Sequence, residues 1–306
     1  MFHAYKRFTS FPLLILAAGL CAARAGAVGV SAGYEFFPYS HISNIPAGST
    51  LNNGEIRQTK IYGAASLPMF VFRGGKTVLA NSLYAEKMSL YYRDFTPGTN
   101  EVEDFYGANY SLTWIETINR DWRTVTTLTP GFYYDGHDES RNSWLLQGGV
   151  TVLRTVWKGF QAGGGVAVVN EFGDPRVVPT FVVTYNVAAS TAARPEAGSH
   201  VVEVVAPLKA SYFYVLARSL QLGAVGQVSG GKYSLTQGSL KNDSVSFSVG
   251  TIGASLRILP TDKVFFEVTA GGTVNRRFEV YSGKSEVGRF DLKNSSFLRL
   301  AANVTF

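Results

Sequence analysis

The most compact group of reactive side chains lies in the segment GHDES, which contains His137, Asp138, Glu139 and Ser140. A lipase or deacylase needs a serine activated by an oriented base, and these residue types could supply both groups. Neighbours in sequence do not form an aligned triad by themselves, and no recognisable catalytic motif surrounds them. We therefore interpret the segment as a solvated loop and predict neither a catalytic residue nor an enzymatic activity.

The same loop contains carboxylates that could bridge a divalent cation. Asp135, Asp138 and Glu139 are close in sequence, and hard cations take carboxylate oxygens as ligands. These three residues are loop candidates only, and the sequence contains no metal site that a known spacing would identify.

The segment GQVSGGK, residues 226–232, has the spacing of a phosphate-binding loop. Such a loop needs Ser or Thr after its lysine to bind Mg²⁺, and a helix must follow it. Tyr233 occupies that position and a strand pattern follows, so no nucleotide and no other cofactor is predicted.

The N-terminus has the features of a secretory signal peptide. A basic start precedes the short apolar run FPLLILAAGL, and small-x-small cleavage motifs end at Ala25 and Ala27. Cleavage after Ala25 is predicted, with Ala27 as the alternative. The expected organisation is a signal peptide at 1–25 and one mature domain at 26–306.

Cleavage would change the charge and the cysteine content of the chain. The 306 residues have a formal charge of +6 and one cysteine, Cys21. Removal of the signal takes Lys6, Arg7 and Arg24 but no acidic residue, so the charge falls to +3. The mature chain would have no disulfide and no thiolate nucleophile. Nucleic acid is not a predicted partner, because much of the basicity belongs to the signal.

Long two-faced strands are the main structural signal in the mature chain. From Val264 to Val274 every second residue is apolar or small, and the intervening residues are mostly polar. Comparable runs of 12 to 18 residues exceed the roughly 5–6 residues usual in soluble sheets. A bilayer is crossed by about 9–11 residues of tilted strand, and a sheet in lipid must close to satisfy its backbone. We therefore predict an all-β, transmembrane, antiparallel up-and-down β-barrel.

The number of strands follows from parity. A bacterial barrel has an even number of strands, with short periplasmic turns and longer outer loops. Thirteen runs are visible, and the alternation of short and long connections fails within 160–216, where three runs would have to be two. The prediction is therefore about 12 strands. The runs are 28–37, 54–72, 77–93, 104–118, 122–134, 144–157, 160–172, 177–188, 200–216, 219–235, 244–259, 264–281 and 295–306.

Aromatic residues support a membrane location. The four tryptophans lie near strand ends, as expected of an interfacial girdle, although core anchoring is the alternative. The chain ends in a strand with apolar residues at alternate positions up to a terminal Phe306. This ending resembles the C-terminal signature of outer-membrane barrels, which implies the barrel-assembly machinery as a partner during insertion.

Three segments also resemble an uncharacterised bacterial family of outer-membrane β-barrel proteins. They are EFGDPRVVPTFVVTY, VVEVVAPLKASYFYVL and LQLGAVGQVSGGKYSL, and together they cover about 170–235. The resemblance implies a fold and a location, and it implies no activity. The matching positions are Pro179, Pro207, Tyr212, Tyr214, Gly230 and Tyr233.

The polar faces of the strands contain residues that we expect to line the lumen. They would either tune the ion selectivity of an open pore or pair with one another and close it. Arg276 interrupts an apolar face twelve residues after a short turn, about 30 Å above it. There it would either bind lipopolysaccharide phosphates or extend into water. The predicted lumen residues are Asn109, Glu203, Lys209, Glu267, Asn275 and Arg277.

Taken together, these patterns predict a monomeric β-barrel of the bacterial outer membrane, in contact with its lipid and lipopolysaccharide. The expected function is that of a small passive, porin-like channel or of a structural surface protein. The alternatives are an outer-membrane lipid-modifying enzyme of the lipase or deacylase type, and a soluble periplasmic β-protein.

Overall fold

The computed structural model describes residues 28–43, 54–94, 100–136, 143–171, 174–186, 196–235, 243–283 and 285–306. In these ranges the chain forms fifteen strands of one sheet. No helix among the described residues is long and apolar enough to cross a membrane. The strands are β1 Gly29–His41, β2 Glu55–Phe72, β3 Thr77–Arg93, β4 Asn100–Thr117, β5 Trp122–Tyr134, β6 Trp144–Trp157, β7 Phe160–Glu171, β8 Asp174–Tyr185, β9 His200–Ala206, β10 Lys209–Ala217, β11 Leu220–Leu235, β12 Asp243–Thr261, β13 Val264–Ser282, β14 Ser285–Leu292 and β15 Ser296–Thr305.

The two faces of the sheet have the polarity of a membrane barrel. In β6, Val150 and Val152 point outward and are 43% and 37% exposed, while Thr151 between them points inward and is 0% exposed. Gln147 is likewise buried on the inner face. Apolar residues outside and polar residues inside are what lipid requires of a transmembrane strand. The chain is therefore a transmembrane barrel of the outer-membrane type.

The sheet closes into a barrel with fourteen strand positions around its wall. Successive strands from β1 to β13 pair with their neighbours, and β15 pairs with both β13 and β1. β14 pairs with the last part of β13, whereas β15 pairs with its first part. Since β14 and β15 follow one another along the same side of β13, they occupy one strand position in the wall and count as a single interrupted strand. Closure leaves no free edge along this seam.

The prediction of about 12 strands was therefore wrong. The run 200–216 contains two strands, β9 and β10, joined by a tight turn at Pro207 and Leu208 in which the Leu208 amide donates to the Val205 carbonyl (2.8 Å). The last opposed pair is Val205 and Lys209, and the three residues between them, 206–208, keep odd-numbered residues on the inner face of both strands. Because the alternation of apolar and polar residues continues through the turn, the sequence pattern does not show where β9 ends and β10 begins. A second error concerns 282–294, which was interpreted as a loop but contains β14.

The tryptophans lie on the outside of the barrel. Their exposed fractions range from 39% for Trp122 to 62% for Trp144, which excludes the alternative of core anchoring. Three of them, Trp114, Trp122 and Trp157, lie at the barrel end where Gly29 pairs with Thr305. Large exposed aromatic side chains at strand ends are typical of a membrane interface.

The β9–β10 hairpin reaches only part of the way up the wall. β8 pairs with β9 from Phe181 to Tyr185, and β10 pairs with β11 only as far as Gln227. Beyond these pairs, the described residues supply no strand between β8 and β11. Here β11 leans across the barrel, and Ser234 forms a parallel bridge with Tyr134 of β5. Opposite walls therefore meet at the barrel end away from the termini, which we call the loop end.

An apolar cluster fills the lumen near the loop end. It joins residues from both walls with Leu208 of the β9–β10 turn, which covers the interrupted part of the wall. Tyr233 stands at its centre, with its ring 5.2 Å from that of Phe105 and 5.7 Å from that of Tyr133. The cluster consists of Ile42, Ile56, Met88, Leu90, Phe105, Tyr133, Leu145, Ala167, Val178, Leu208, Tyr233, Leu235, Val245, Phe247, Phe278 and Leu292.

Candidate functional site in the barrel lumen

Three charged residues form a row across adjacent strands next to the apolar cluster. Glu35 of β1 is directly opposite Arg299 of β15 and directly opposite Lys60 of β2. Arg299 Nε donates to Glu35 Oε1 (2.7 Å), and Lys60 Nζ lies 3.7 Å from Glu35 Oε2. Because directly opposed residues share a face, strand register alone brings these three side chains together inside the barrel.

Glu86 of β3 extends this row and joins it to the other side of the lumen. Its Oε2 lies 3.5 Å from Lys60 Nζ and accepts a hydrogen bond from the Tyr84 hydroxyl (2.6 Å). Its Oε1 accepts a short hydrogen bond from the Tyr233 hydroxyl of β11. Arg299 Nη1 in turn donates to Gln227 Oε1 of β11 (2.7 Å). The polar contacts therefore run around part of the wall and return across the lumen.

We call Glu35, Lys60, Glu86 and Arg299 the charge layer. Their exposed fractions are 3%, 7%, 9% and 6%. Two acidic and two basic groups balance, and each contacts a group of opposite sign. Side chains that lined a wide water-filled pore would be exposed, so the lumen is closed at this level in the structure.

Aromatic packing on bare backbone narrows the lumen further. The ring of Tyr62 lies over Gly33, where a Cβ would come within 2.2 Å of a ring atom. Tyr62 also stacks on Tyr84, with 6.1 Å between ring centres. Glycine is needed at this position because the tyrosine ring occupies the space of any larger side chain.

In the middle of the facing wall, β4 and β5 carry small polar side chains. The hydroxyls of Ser111 and Thr129 are 2.8 Å apart, and Thr113 and Thr127 are similarly paired. Asn109, predicted to line the lumen, points inward and its Nδ2 donates to the Tyr133 hydroxyl (2.8 Å). The middle of these two strands is thus neutral and rich in hydroxyls, while Arg123 lies on the inner face of β5 near its start.

Two further ion pairs contain most of the other predicted lumen residues. Glu267 Oε2 accepts from Arg257 Nε and Nη2 at 3.0 and 2.6 Å. Glu203 Oε2 lies 2.6 Å from Lys209 Nζ. These predicted residues are therefore engaged with charged partners in this structure. Sequence reasoning had left open whether such residues pair or line a pore.

The remaining predicted residues lie around a bulge in β13. Between the pairs Ser248–Arg277 and Gly250–Val274, β13 advances by one residue more than β12. Asn275 provides this extra residue with a positive φ of 51°, a conformation that Asn adopts more readily than most residues. Its side chain is exposed, so it does not line the lumen as predicted.

The bulge also moves Arg276 to the inner face. We expected its guanidinium at the outer interface, but it is 2% exposed and donates to Ser40 Oγ inside the barrel (2.6 Å). An inserted residue reverses the alternation of a strand beyond it, which explains why an arginine stood on an otherwise apolar face. Arg277 then pairs with Asp291 of β14, with Nε 3.0 Å from Oδ1.

Most of the loop that was considered as a reactive or cation-binding site lies outside the described residues. His137, Asp138, Glu139 and Ser140 lie outside the described residues. Asp135 is buried, and its amide donates to the Ser234 carbonyl (3.1 Å) where β5 and β11 meet. No group of His, Cys, Asp and Glu in the described ranges is arranged to hold a metal ion.

Sequence reasoning missed the whole charge layer. In β1, Glu35 shares its face with Phe37 and has an aromatic neighbour on each side, so the alternation around it is weak. A usable signal was the presence of charged residues of opposite sign at mid-strand in β1, β2, β3 and β15. Only the register between strands shows that they meet.

Comparison with solved structures finds barrels of similar overall architecture at very low sequence identity. The COG4313 outer membrane channel from Pseudomonas putida F1 is 10% identical, with 98% of each chain covered and a TM-score of 0.46. The TodX monoaromatic hydrocarbon channel with its S2 and S3 segments deleted is 6% identical, covering 94% of this chain and 91% of that one, with a TM-score of 0.43. The NanC porin is 9% identical, covering 91% and 100%, with a TM-score of 0.35.

Sequence comparison places the chain in a family. No curated protein matches the sequence. Residues 23–306 match the family model described as a domain of unknown function, DUF6268. Because this match spans nearly the whole chain, the protein belongs to the DUF6268 family.

Proposed function

We propose that this protein is a passive channel of the outer membrane whose lumen is held closed, in the state described, by the charge layer. The observation that carries the proposal is the layer itself, a set of paired charges crossing the interior of a membrane barrel. Small polar solutes are the class that such an interior suits, because its walls offer charges on one side and hydroxyls on the other.

The energetic cost of buried ions supports a functional reading of the layer. Replacing a buried ion pair by well-packed apolar residues is often neutral or stabilising, so closure alone does not require charges. Paired charges, in contrast, can separate and contact water or a solute when the lumen opens.

A structural surface protein is the second candidate. The observation that favours it is that every member of the charge layer has a partner of opposite sign, as a permanent plug would have. In that case the barrel would never conduct, and its ion pairs would serve only to hold the lumen shut.

Delivery to the membrane belongs to the same proposal. A signal peptide at 1–25 is removed on export, and the barrel-assembly machinery recognises the last strand, with Phe306 as its terminal residue. The protein is then a monomer surrounded by outer-membrane lipid. N-terminal sequencing of the protein isolated from outer membranes tests the cleavage site, for which Gly26 is the expected first residue.

Weakening the charge layer is expected to open the channel. In planar bilayers, the refolded chain from Gly26 onward should show rare openings, and the double variant Lys60→Gln, Glu86→Gln should open more often. The charge-assisted contacts removed are each worth about 1.5–3 kcal/mol, which corresponds to an increase of roughly tenfold or more in the ratio of open to closed time. The variant keeps the net charge and retains the Glu35–Arg299 pair.

An exposed ion pair supplies the matched control. Arg73 Nη1 lies 3.2 Å from Glu116 Oε1 at the end with the termini, and the double variant Arg73→Gln, Glu116→Gln should leave the openings unchanged. Folding of each protein is verified by its heat-dependent gel shift. If both the parent and the charge-layer variant are folded but electrically silent, the channel proposal fails and the structural candidate stands.

A further inference from the structure

Arg276 is a buried cation for which the described residues supply no counter-ion. Its Nη1 donates to Ser40 Oγ (2.6 Å) and Ser295 Oγ (3.1 Å), both neutral groups. Its Nη2 has no hydrogen-bond partner, and its guanidinium carbon lies 5.5 Å from the ring centre of Phe37. Burying an unpaired charge is costly, so a guanidinium in this state calls for an anion.

Three other arginines in the described part of the barrel have carboxylate partners. Arg299 binds Glu35, Arg257 binds Glu267, and Arg277 binds Asp291. No carboxylate in the described part of the chain forms an ion pair with Arg276. Because the charge layer is neutral by itself, the positive charge of Arg276 is not cancelled by that layer.

Arg276 lines a small cavity. It has a volume of about 10 Å³, and its wall includes Arg276, Lys60, Glu35, Gln58 and Ser229. Such a volume suits roughly one small particle the size of a water molecule or a halide ion. The Glu35 carboxylate on the wall is already contacted through both oxygens by Arg299 and Lys60, so its negative charge is compensated.

We propose that this cavity is a binding site for a single halide-sized anion, chloride under ordinary conditions, held by Arg276 with Lys60 as the second positive group. The unpartnered Nη2 of Arg276 supplies a donor, and the Gln58 side chain on the wall is a polar neighbour. The bound anion neutralises the buried guanidinium and thereby stabilises the upper part of β13 against β1. The site shares Lys60 and Glu35 with the charge layer, but its test measures stability and needs no conductance.

Halide dependence of stability tests this site. The refolded chain in detergent is heated in sodium chloride, sodium bromide or sodium gluconate at equal ionic strength, and the midpoint of the gel shift is measured. Both halides should raise the midpoint temperature of the gel shift relative to gluconate. Once the halide concentration exceeds the dissociation constant, the midpoint should rise by about 3 °C or more for each tenfold increase in halide concentration. Arg276→Met should abolish the halide effect, since no positive group then faces the cavity at this point.

Two comparisons keep the result interpretable. Arg276→Lys keeps the charge and should retain a reduced halide shift, while Arg73→Gln changes an exposed arginine and should retain the full shift. Crystals grown in bromide should show an anomalous peak within contact distance of Arg276. Equal midpoints in chloride and gluconate, an undiminished shift in a folded Arg276→Met variant, or the absence of a bromide peak would each overturn the proposal and leave water as the occupant.

Discussion

Replacing Glu35 by leucine is expected to destabilise the barrel by about 3–5 kcal/mol, because removal of one partner leaves the other as an unpaired buried charge. Arg299 would lose its carboxylate at 2.7 Å and keep only Gln227 as a polar partner. Lys60 would still have Glu86, at 3.5 Å. Equilibrium unfolding of the refolded chain by urea in detergent, followed by the gel shift and tryptophan fluorescence, measures the change.

The exposed pair of Lys87 and Asp104 provides the reference for this experiment. Its N–O distance is also 2.7 Å, but its side chains are partly exposed to solvent, so Asp104→Asn should cost no more than about 1 kcal/mol. The double variant Glu35→Leu, Arg299→Met should recover much of the loss, since both members of the pair are then apolar. A loss for Glu35→Leu no larger than that for Asp104→Asn would contradict the assignment of a desolvated charge layer.

A second large effect is expected at Gly271, whose neighbour in sequence offers the control. A Cβ at Gly271 would lie 2.1 Å from the Ile252 carbonyl oxygen and 2.4 Å from the Gly253 Cα. These contacts are with backbone, which cannot rotate away. Gly271→Ala should therefore cost about 1–3 kcal/mol in unfolding free energy, as overpacking does elsewhere.

Gly272 tests whether this effect comes from crowding or from strand propensity. Nothing lies within 4 Å of a Cβ built on Gly272, and that position is on the outer face of the same strand. Gly272→Ala should be neutral or stabilising by up to about 1 kcal/mol, because it reduces the freedom of the unfolded chain. Equal losses for the two variants would mean that the close approach of β12 and β13 is not what selects glycine.

Elsewhere in this lumen, aromatic rings cover glycine backbone. Phe297 of β15 lies 3.0 Å from the position of a Cβ on Gly253, directly opposite Gly271. Tyr62 covers Gly33 in the same manner. Such pairs let a bulky ring from one strand fill space above its neighbour, and they narrow the interior without adding charge.

The bulge at Asn275 determines which face of β13 carries Arg276, and so determines whether the proposed anion site can form. It places Arg276 in the lumen beside the charge layer, although the alternation of the preceding residues assigns it to the lipid face. A local backbone change of one residue therefore converts an arginine expected at the membrane surface into a buried cation. The proposed anion site exists only because of this change of face.

The class of the fold could be predicted from sequence because its cause is local. The alternation of apolar and polar residues along each strand indicates which face contacts lipid. The length of the strand-like runs indicates the thickness of the bilayer that they cross. Neither signal depends on which strand is the neighbour. The strand count failed at the β9–β10 turn because three residues lie between the opposed pair Val205 and Lys209, so the alternation stays in phase on both sides of the turn.

The site could not be predicted, because its parts are distant in sequence and are joined by register. Glu35 meets Arg299 across the closing seam of the barrel, and Glu86 meets Tyr233 across the lumen. Sequence alone determined that this chain forms a membrane barrel with a polar interior. The tertiary structure decided which polar groups pair, that the lumen is closed at the charge layer, and which cation has no carboxylate partner among the described residues. Hydrogen-bond register, one bulge and the leaning of β11 together set those contacts.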